Sequence, residues 1–442
     1  MAGDIIFKQG TTSGFFAYIL FLLTGPSVAW ASTFTDHFED AAIRVEFFQS
    51  GHASKMDLVL KRMVLERTWP ENPNRLVMPF EYGKYRIRIL SVDGKQTLFS
   101  KGFDPLFAEY VTTQKAIDGA IGEFEMATRF PKPKHSVQIV IEQRQKDNSW
   151  TRVWQQEFLP DRASISTDAV SSVEVLPILN QGRPAQQVDL VFVAEGYRAS
   201  EKEKFVKDIE RMVSKLFSAN PYSQKRERFN VHGVFVASNE SGTDVPHRGL
   251  FRDTALNASF NTLDIQRYLL VQAQHRLHEI ASAAPYDNIV VLVNASEYGG
   301  GGMGLDYCVT TSDHALSPFV FIHELGHGFA YLADEYIGNV TYNDMYPIDV
   351  EPVEPNLTRE LDRSKIKWGR FLTPDIPLPT ESKELSDRVV GAFEGGGYLS
   401  KGIFRAEAKC WMGTGESKHG FCVACEDGIR KMIDFYTVDD HE

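Results

Sequence analysis

The chain has 442 residues, of which 43% are hydrophobic, and this length exceeds that of one ordinary domain, so we expect two. Acidic residues outnumber basic residues by 59 to 47, which gives a formal net charge of −12. Because no basic cluster interrupts this acidic balance, the composition argues against nucleic acid and anionic membrane surfaces as partners.

The N-terminal residues predict export. Residues 15–23 (FFAYILFLL) form a short apolar core, and residues 29–31 (AWA) supply a small-x-small cleavage pattern. We predict that residues 1–31 are a signal peptide cut before Ser32, with a short membrane anchor as the alternative. No other segment approaches the ~20 apolar residues of a spanning helix. We therefore expect a protein of the periplasm, cell surface or extracellular medium, with no stable membrane insertion after cleavage.

Strands dominate the first predicted domain, residues 32–165. Apolar and polar residues alternate in several runs, and turn signals separate them. The runs are residues 42–49, 85–90, 137–143 and 150–157. Short strands at this spacing predict an antiparallel β-sandwich. Since this domain contains no metal, nucleophile or phosphate-binding motif, we expect it to serve packing or targeting.

A second predicted domain, residues 170–442, follows a polar, small-residue-rich linker at residues 161–172. Near-continuous apolar runs predict buried strands at residues 188–193, 231–236 and 289–293. Helical spacing of apolar residues predicts helices at residues 202–217, 264–281 and 426–436. The alternation of strands and helices indicates an α/β catalytic domain. Residues 339–405 are rich in turn formers, and we expect them to be irregular.

A glycine-rich stretch at residues 298–308 (YGGGGMGLDYC) comes shortly before the metal motif. It matches neither standard phosphate-binding pattern, because no Gly-Lys-Ser/Thr follows the glycines. One interpretation is that the glycines let an extended substrate approach an edge strand at residues 304–310. The other is a flexible loop, since glycine serves both purposes.

The motif His323-Glu324-Leu325-Gly326-His327 carries the predicted chemistry. On a helix, His323 and His327 lie four residues apart on one face, so both imidazoles reach one ion. Glu324 lies about 100° around the helix from His323, where it can hold a water molecule without binding the metal. Apolar residues flank the motif, as a helix that lines a buried cleft requires. We predict that His323 and His327 bind zinc and that Glu324 is the general base.

The third zinc ligand is the open question, because a catalytic zinc typically has three protein ligands and one free position. Asp334 lies about 20° from the helix face of His327, but roughly 10 Å further along a continuous helix, which is too far. It binds the ion only if the helix ends within residues 328–333 and the chain folds back. Asp334 is the predicted ligand. Glu335 or a later acidic residue is the alternative, as is an acidic residue that only orients a histidine.

The other candidate residues rest on residue type and neighbourhood. Tyr336, Tyr398 and Arg405 are candidates to stabilise an oxyanion, although each is more typical of a structural role. In an exported protein, the Cys-x-x-Cys at residues 422–425 favours a disulfide over zinc or redox chemistry. Cys410 pairs in this interpretation with Cys422 or Cys425, and Cys308 is a buried thiol. If all four cysteines form bridges instead, three pairings are possible, and the sequence does not choose among them.

Together these motifs resemble the IgA peptidase family of exported bacterial zinc metallopeptidases. The resemblance rests on HELGH at 323–327, LADEY at 332–336, VFVAEGY at 191–197, EPNLT at 354–358, FEG at 393–395 and CWM at 410–412. It implies a metzincin-like catalytic domain after an N-terminal β domain, with one zinc ion on His323, His327 and Asp334. It also implies that Met412 is the counterpart of the methionine turn beneath the metal. Tyr331 occupies a position where such motifs have glycine.

We therefore predict an exported zinc endopeptidase that cleaves proteins or peptides. One alternative is a zinc amidase or aminopeptidase acting on cell-wall or other peptides. Another is a surface binding protein with a structural metal, in which the β-sandwich is the working part. Glu324 argues against this last interpretation, because a structural site needs no general base beside its ligands.

Overall fold

The computed structural model describes residues 33–167, 173–338, 345–381, 388–413 and 417–437. The predicted signal peptide lies outside these residues, so cleavage before Ser32 stays a prediction, as do the domain boundaries at residues 165 and 170. Thr33–Glu442 packs as one unit. Within the described ranges, no helix has both the length and the apolar character needed to cross a membrane.

Two four-stranded sheets form the N-terminal region and share one core. The sheets have the strand orders β5-β1-β2-β8 and β4-β3-β6-β7, and all pairs except β2 with β8 are antiparallel. Every run predicted here as a strand lies within an observed strand. The elements are α1 (Phe34–His37), β1 (Phe38–His52), β2 (Lys55–Glu66), β3 (Tyr85–Ser91), β4 (Thr97–Phe103), α2 (Leu106–Tyr110), α3 (Gln114–Ile117), β5 (Gly122–Pro133), β6 (Val137–Arg144), β7 (Trp150–Phe158) and β8 (Ile165–Ser166).

A six-stranded sheet of order β13-β14-β12-β10-β11-β9 organises the second region. Its four central strands are parallel, and the edge strands β9 and β13 are antiparallel to their neighbours. The molecule is therefore a mixed α/β protein with several sheets. The elements are β9 (Glu174–Leu179), β10 (Val188–Glu195), α4 (Lys202–Leu216), β11 (Phe229–Phe235), α5 (Gln274–Ala281), β12 (Asn288–Val293), β13 (Gly300–Met303), β14 (Tyr307–Thr311) and α6 (Ser317–Ala330).

Successive residues of β10 face two different cores, which explains why this strand is apolar throughout. Leu190 and Phe192 pack into the core that contains α4, α6 and the C-terminal helix. Val191 and Val193 pack into the core that contains α5. Because α6 lies against β13 and β14, the sheet fixes the position of the predicted metal helix.

The C-terminal residues form a small antiparallel sheet and a helix. The elements are β15 (Leu357–Thr358), β16 (Phe393–Gly396), β17 (Leu399–Arg405) and α7 (Val423–Tyr436). The predicted irregular region, 339–405, is thus irregular over most of its described residues but carries three short strands. The predicted terminal helix lies within α7.

Two predictions near the metal motif are wrong in detail. Only Gln274–Ala281 of the predicted helix 264–281 is helical. Its earlier apolar residues instead run along the sheet edge, where the Leu269 N–H donates to the Gly300 carbonyl at 3.1 Å. The predicted edge strand at residues 304–310 is also misplaced. The glycines form the edge strand β13, and β14 lies inside the sheet.

Candidate metal centre

The helix that carries the motif ends where the sequence required a break. Pro318 stands in the first turn of α6, where its missing N–H costs nothing. At the other end, Tyr331 adopts a left-handed conformation with φ of +54°. The N–H groups of Tyr331 and Leu332 donate to the carbonyls of His327 and Gly326 at 3.2 and 3.1 Å. These bonds cap the helix and turn the chain back toward the histidines.

A tyrosine holds this turn because distant residues support it. The left-handed conformation costs a non-glycine residue about 1–2 kcal/mol. The Tyr331 ring is 4% exposed and stacks on Tyr82 with ring centroids 5.3 Å apart. Its hydroxyl lies 3.4 Å from Asp104 Oδ1. Both partners come from the N-terminal region, so contacts across the fold replace the glycine expected at this position.

The turn brings the three predicted metal ligands together. Asp334 Oδ1 lies 3.1 Å from His323 Nε2 and 3.4 Å from His327 Nε2, and the two Nε2 atoms are 3.3 Å apart. Three ligands at about 2.0–2.1 Å from a tetrahedral zinc would be separated by roughly 3.3 Å. Asp334 Oδ1 is buried and forms no hydrogen bond with any described group. The residues present therefore fit a metal ion.

Outer hydrogen bonds orient each of these side chains. His323 Nδ1 donates to the carbonyl of Trp411 at 2.9 Å, and His327 Nδ1 donates to the carbonyl of Leu332 at 2.6 Å. Both Nε2 atoms are thereby left to face Asp334. The other carboxylate oxygen of Asp334, Oδ2, accepts a hydrogen bond from the Tyr398 hydroxyl.

Charge interactions set the protonation of the cluster when no metal is bound. Burial alone would lower the pKa of His327, but Asp334 beside it raises that pKa to about 9. Burial opposes ionisation of Asp334, yet the two histidines hold its pKa well below the usual range. Burial raises the pKa of Glu324, against the influence of the same histidines. The negative charge of Asp334 therefore favours a cation between the ligands. Glu324 is a stronger base than an exposed carboxylate.

Edge strand β13 lies directly against the metal helix, and its glycines make this possible. A Cβ atom at Gly302 would lie 2.7 Å from the Glu324 carbonyl oxygen and 2.9 Å from His327 Cβ. One at Gly300 would lie 2.6 Å from Val320 Cγ1. Glycine is required here for close approach of strand and helix, so the alternative of a flexible loop is wrong.

A cleft of about 1060 Å³ opens onto the cluster. His323, Glu324, His327 and Asp334 all line it, so the cluster is open to this cleft. The N-terminal region supplies part of the opposite wall, with residues 52–56, 107–109 and 143–146. The expectation that this region serves only packing or targeting is therefore too narrow.

The remaining sequence candidates fall in different places. Glu335, the alternative third ligand, points away from the cleft and contacts Cys422 and Cys425. Arg405 donates to the carbonyls of Glu394 and Gly395, which is a structural role. Tyr336 and Tyr398 both line the cleft. Met412 is fully buried, and its Sδ lies 2.8 Å from the position of a Cβ on Gly326, beneath the metal helix.

Arg267 is a cleft residue that the sequence did not reveal. Its guanidinium lies 3.5 Å from the Tyr336 hydroxyl and lines the same cavity. Its positive charge opposes the rise that burial causes in the pKa of Glu324. The residue falls in the segment wrongly predicted as helix, and no motif marks it.

Family models match two parts of the chain. One described as IgA Peptidase M64 matches residues 176–389, and one described as Peptidase M64 N-terminus matches residues 33–155. Together they cover most of the chain and confirm the resemblance inferred from its motifs. None of the curated proteins compared with the chain matches it. The matched residues include the metal cluster, whereas Met412 and three of the four cysteines lie beyond residue 389.

Proposed function

Because the chain belongs to the IgA peptidase M64 family and is a metallopeptidase, we propose that it is an exported zinc endopeptidase with a metzincin-like catalytic domain. One observation carries the proposal: His323, His327 and Asp334 hold three ligand atoms within 3.4 Å of one another at an open cleft. The antiparallel edge strand beside the metal helix and Met412 beneath it support the metzincin-like arrangement.

Zinc suits this set of ligands better than a hard cation does. Two imidazoles and one carboxylate are typical of catalytic zinc sites, which keep one position open for water. Calcium and magnesium prefer sets made only of oxygen ligands. The side chains of His323 and His327 are 13% and 18% exposed, so water reaches the cluster from the cleft.

The chemistry divides between the ion and the protein. A zinc ion bound here supplies Lewis acidity and increases the acidity of water. Glu324 takes the proton from the attacking water and passes it to the leaving amine, a role for which its raised pKa suits it. Tyr398 holds the Asp334 carboxylate through its hydroxyl, so we assign it a positioning role.

Arg267 and Tyr336 are the proposed donors to the developing oxyanion. Their polar groups lie 3.5 Å apart in the cleft wall near Glu324. Donors that are already oriented toward developing negative charge stabilise the transition state without reorganisation. The guanidinium remains charged at every pH at which the enzyme would work.

The cleft supports endopeptidase activity over the alternatives. A volume of about 1060 Å³ slightly exceeds the ~300–1,000 Å³ typical of small-molecule pockets, so it accommodates several residues of a chain. An extended substrate can lie beside β13 at Gly302, which lines the cleft, whereas the Gly300 backbone is already hydrogen-bonded to Arg267 and Leu269. The name of the family does not identify an immunoglobulin as the substrate of this protein.

The test compares the purified parent with Glu324→Gln and with Glu203→Gln, in which the same chemical change is made at an exposed position of α4. We measure zinc content and cleavage of casein and gelatin for all three. The expected result is zinc in each protein and a loss of cleavage by about 10²–10⁴-fold in Glu324→Gln alone. Full activity in Glu324→Gln would contradict the proposed base. Absence of zinc from protein purified under metal-replete conditions would contradict the proposal that zinc is the cofactor.

Export is tested separately. The proposed signal peptide predicts that the protein recovered outside the cytoplasm begins at Ser32, which N-terminal sequencing determines. Replacing Ala31 with arginine should block cleavage, because the signal peptidase requires a small residue at this position. Recovery of the chain with residues 1–31 intact in the same fraction would favour the membrane-anchor alternative.

A further inference from the structure

A second group of metal-ligating side chains lies behind the turn that follows α6. Glu335, Cys410, Cys422 and Cys425 place their ligand atoms within 4.8 Å of one another. Glu335 Oε1 lies 3.1 Å from Cys425 Sγ and 3.3 Å from Cys422 Sγ, and the sulfurs of Cys410 and Cys425 are 3.6 Å apart. Tetrahedral ligands at about 2.0–2.3 Å from zinc are separated by roughly 3.3–3.8 Å. The group is close to this geometry.

The Glu335 carboxylate lacks a compensating charge. It is 3% exposed, and its Oε2 atom has no hydrogen-bond partner among the described groups. Oε1 accepts hydrogen bonds from Asn356 Nδ2 at 3.0 Å and from the thiols of Cys422 and Cys425. Besides burial, the groups that act on it most strongly are Cys422, Asn356 and Cys425, none of which is a cation. An ionised carboxylate in such surroundings is strongly destabilising, so the group either stays protonated or binds a cation.

We propose that Glu335, Cys410, Cys422 and Cys425 bind a second zinc ion with a structural role. Three thiolates select a thiophilic metal, and four protein ligands complete a tetrahedral shell with no position for water. The burial of the group agrees with a closed site, since Cys410 is 2% exposed and the other two cysteines are fully buried.

Backbone amides near the group stabilise the negative charge of the thiolates. The N–H groups of Cys422 and Met412 donate to Cys410 Sγ at 3.1 and 3.4 Å. Cys422 and Cys425 stand at the start of the 14-residue helix α7, whose N-terminus favours anions. These groups offset the excess negative charge that three thiolates and a carboxylate leave on a divalent ion.

A disulfide, which the sequence favoured, provides bonding partners for fewer of these four side chains than a metal ion does. All four cysteines are free thiols in the structure. Any bridge among Cys410, Cys422 and Cys425 uses two sulfurs and leaves the third beside the uncompensated carboxylate of Glu335. Cys308 cannot supply a fourth sulfur, because it lies in β14 and is not part of the group. One metal ion binds all four side chains.

The second ion would stabilise the chain segments whose hydrogen bonds orient the ligands of the cleft cluster. Cys410 begins the segment in which the Trp411 carbonyl accepts the hydrogen bond from His323. The Glu335 N–H donates to the Met412 carbonyl at 2.6 Å, which ties this segment to the chain that carries Asp334. An ion shared by Glu335 and Cys410 fixes both connections at once.

The first test is metal content, measured by mass spectrometry of the metal-replete full-length chain. The parent should contain two zinc ions per chain, and a His323→Ala/His327→Ala variant should retain one. Cys422→Ser/Cys425→Ser should lose at least one ion, whereas Cys308→Ser, a matched change at a buried thiol outside the group, should keep both. A His323→Ala/His327→Ala protein that contains no zinc would overturn the proposal.

The second test does not depend on the folding of cysteine variants. Cobalt added to the metal-free His323→Ala/His327→Ala variant should produce an intense near-ultraviolet band from thiolate-to-metal charge transfer, because cobalt replaces zinc at thiolate sites. Binding without that band would contradict thiolate ligands. An intact mass lower by two hydrogen atoms than that of the reduced chain would show a disulfide instead. Neither readout uses peptidase activity, so failure of the proposed function would be distinguished from failure of this site.

Discussion

Two consecutive residues, Asp334 and Glu335, enter two clusters of opposite character. The cluster around Asp334 borders the cleft, and the histidines beside it are 13% and 18% exposed. The cluster around Glu335 contains sulfur ligands that are at most 2% exposed. The first cluster has three proposed ligands and is accessible to water. The second cluster has four proposed ligands and is closed to water. Access to solvent and the number of ligands, rather than the presence of a metal, thus distinguish a site for chemistry from a site for support.

Backbone hydrogen bonds of the segment after Tyr331 accompany the divergence: the Asp334 carbonyl accepts from the Gly397 N–H at 2.8 Å, and the Glu335 N–H donates to the Met412 carbonyl at 2.6 Å. Asn356 fixes this segment as a neighbouring strand would. Its side chain accepts from the Ala333 N–H and donates to the Ala333 carbonyl, both at 2.8 Å. It also donates to Glu335 Oε1. A single side chain therefore contributes to the geometry of both clusters.

Asp334→Ala should distinguish the two clusters most clearly, because it should reduce peptidase activity strongly and stability only slightly. This variant loses a proposed direct ligand at the cleft, so we expect peptidase activity to fall by more than the ~100-fold typical for loss of an outer partner. Thermal unfolding should change little, because the Cys/Glu cluster is intact. The measurements are casein cleavage and calorimetry, with Asp313→Ala as the control at a more exposed acidic residue. Equal losses in activity and stability would mean that the clusters are not separable.

Asn356→Ala should lower stability and activity together, whereas Asp334→Ala should lower activity alone. The variant loses two bonds to Ala333 and one to Glu335, all buried. At ~1 kcal/mol for each hydrogen bond, we expect the free energy of unfolding to fall by about 3 kcal/mol. Activity and zinc content should fall with it. Denaturant unfolding and metal analysis test this, and wild-type zinc content in the variant would show that Asn356 supports neither cluster.

Tyr398→Phe should affect only the cleft cluster, and less than the loss of a ligand. It removes the hydroxyl that donates to Asp334 Oδ2 while keeping the aromatic ring that packs edge-on against Tyr336. Loss of such an outer partner lowers metal affinity by about 10–100-fold. Competition with a chelator measures this change, and added zinc should restore activity. An unchanged affinity would rule out the positioning role.

The smallest effect is expected at Asp104, which contacts the turn from the N-terminal side. Burial raises the pKa of Asp104 to about 6, against the lowering influence of Lys84. Because the pKa is raised on folding, this residue should lower stability as pH rises from about 4 to 6. Asp104→Asn should therefore stabilise the protein by on the order of 1–2 kcal/mol at pH ~7.5 and be neutral below pH ~4. Calorimetry at both pH values tests the sign, and equal shifts at the two values would contradict it.

Local patterns in the sequence predicted the elements but not the contacts between them. The strand periodicity of the N-terminal region and the helix around His323 were recognisable because they depend on neighbouring residues. The turn at Tyr331 was not, because Tyr82 and Asp104 stabilise it from a distant part of the chain. The helix predicted at 264–281 failed for a related reason. Its first apolar residues pack along a sheet edge, where an extended segment buries them equally well.

The candidate site was predictable only as far as its motif. His323, Glu324, His327 and Asp334 were all named from the sequence, and the structure brings the three proposed ligands together. Glu335 was predicted only as an alternative ligand at the cleft or as a residue that orients a histidine. Its meeting with the cysteines could not be inferred, since these residues are far apart in sequence and the expected export favoured a disulfide.

The stack of Tyr331 on Tyr82 has a consequence for how this enzyme can be dissected. The residues proposed to carry the reaction all follow residue 260, so a shortened protein that begins with the six-stranded sheet would retain every one of them. It would lose the ring that covers Tyr331 and the carboxylate beside it, and with them the support for an unfavourable backbone conformation. Such a fragment would keep the catalytic residues but not their alignment. A minimal active version of this enzyme must include its N-terminal sheets, and proteolytic loss of those sheets would switch the enzyme off.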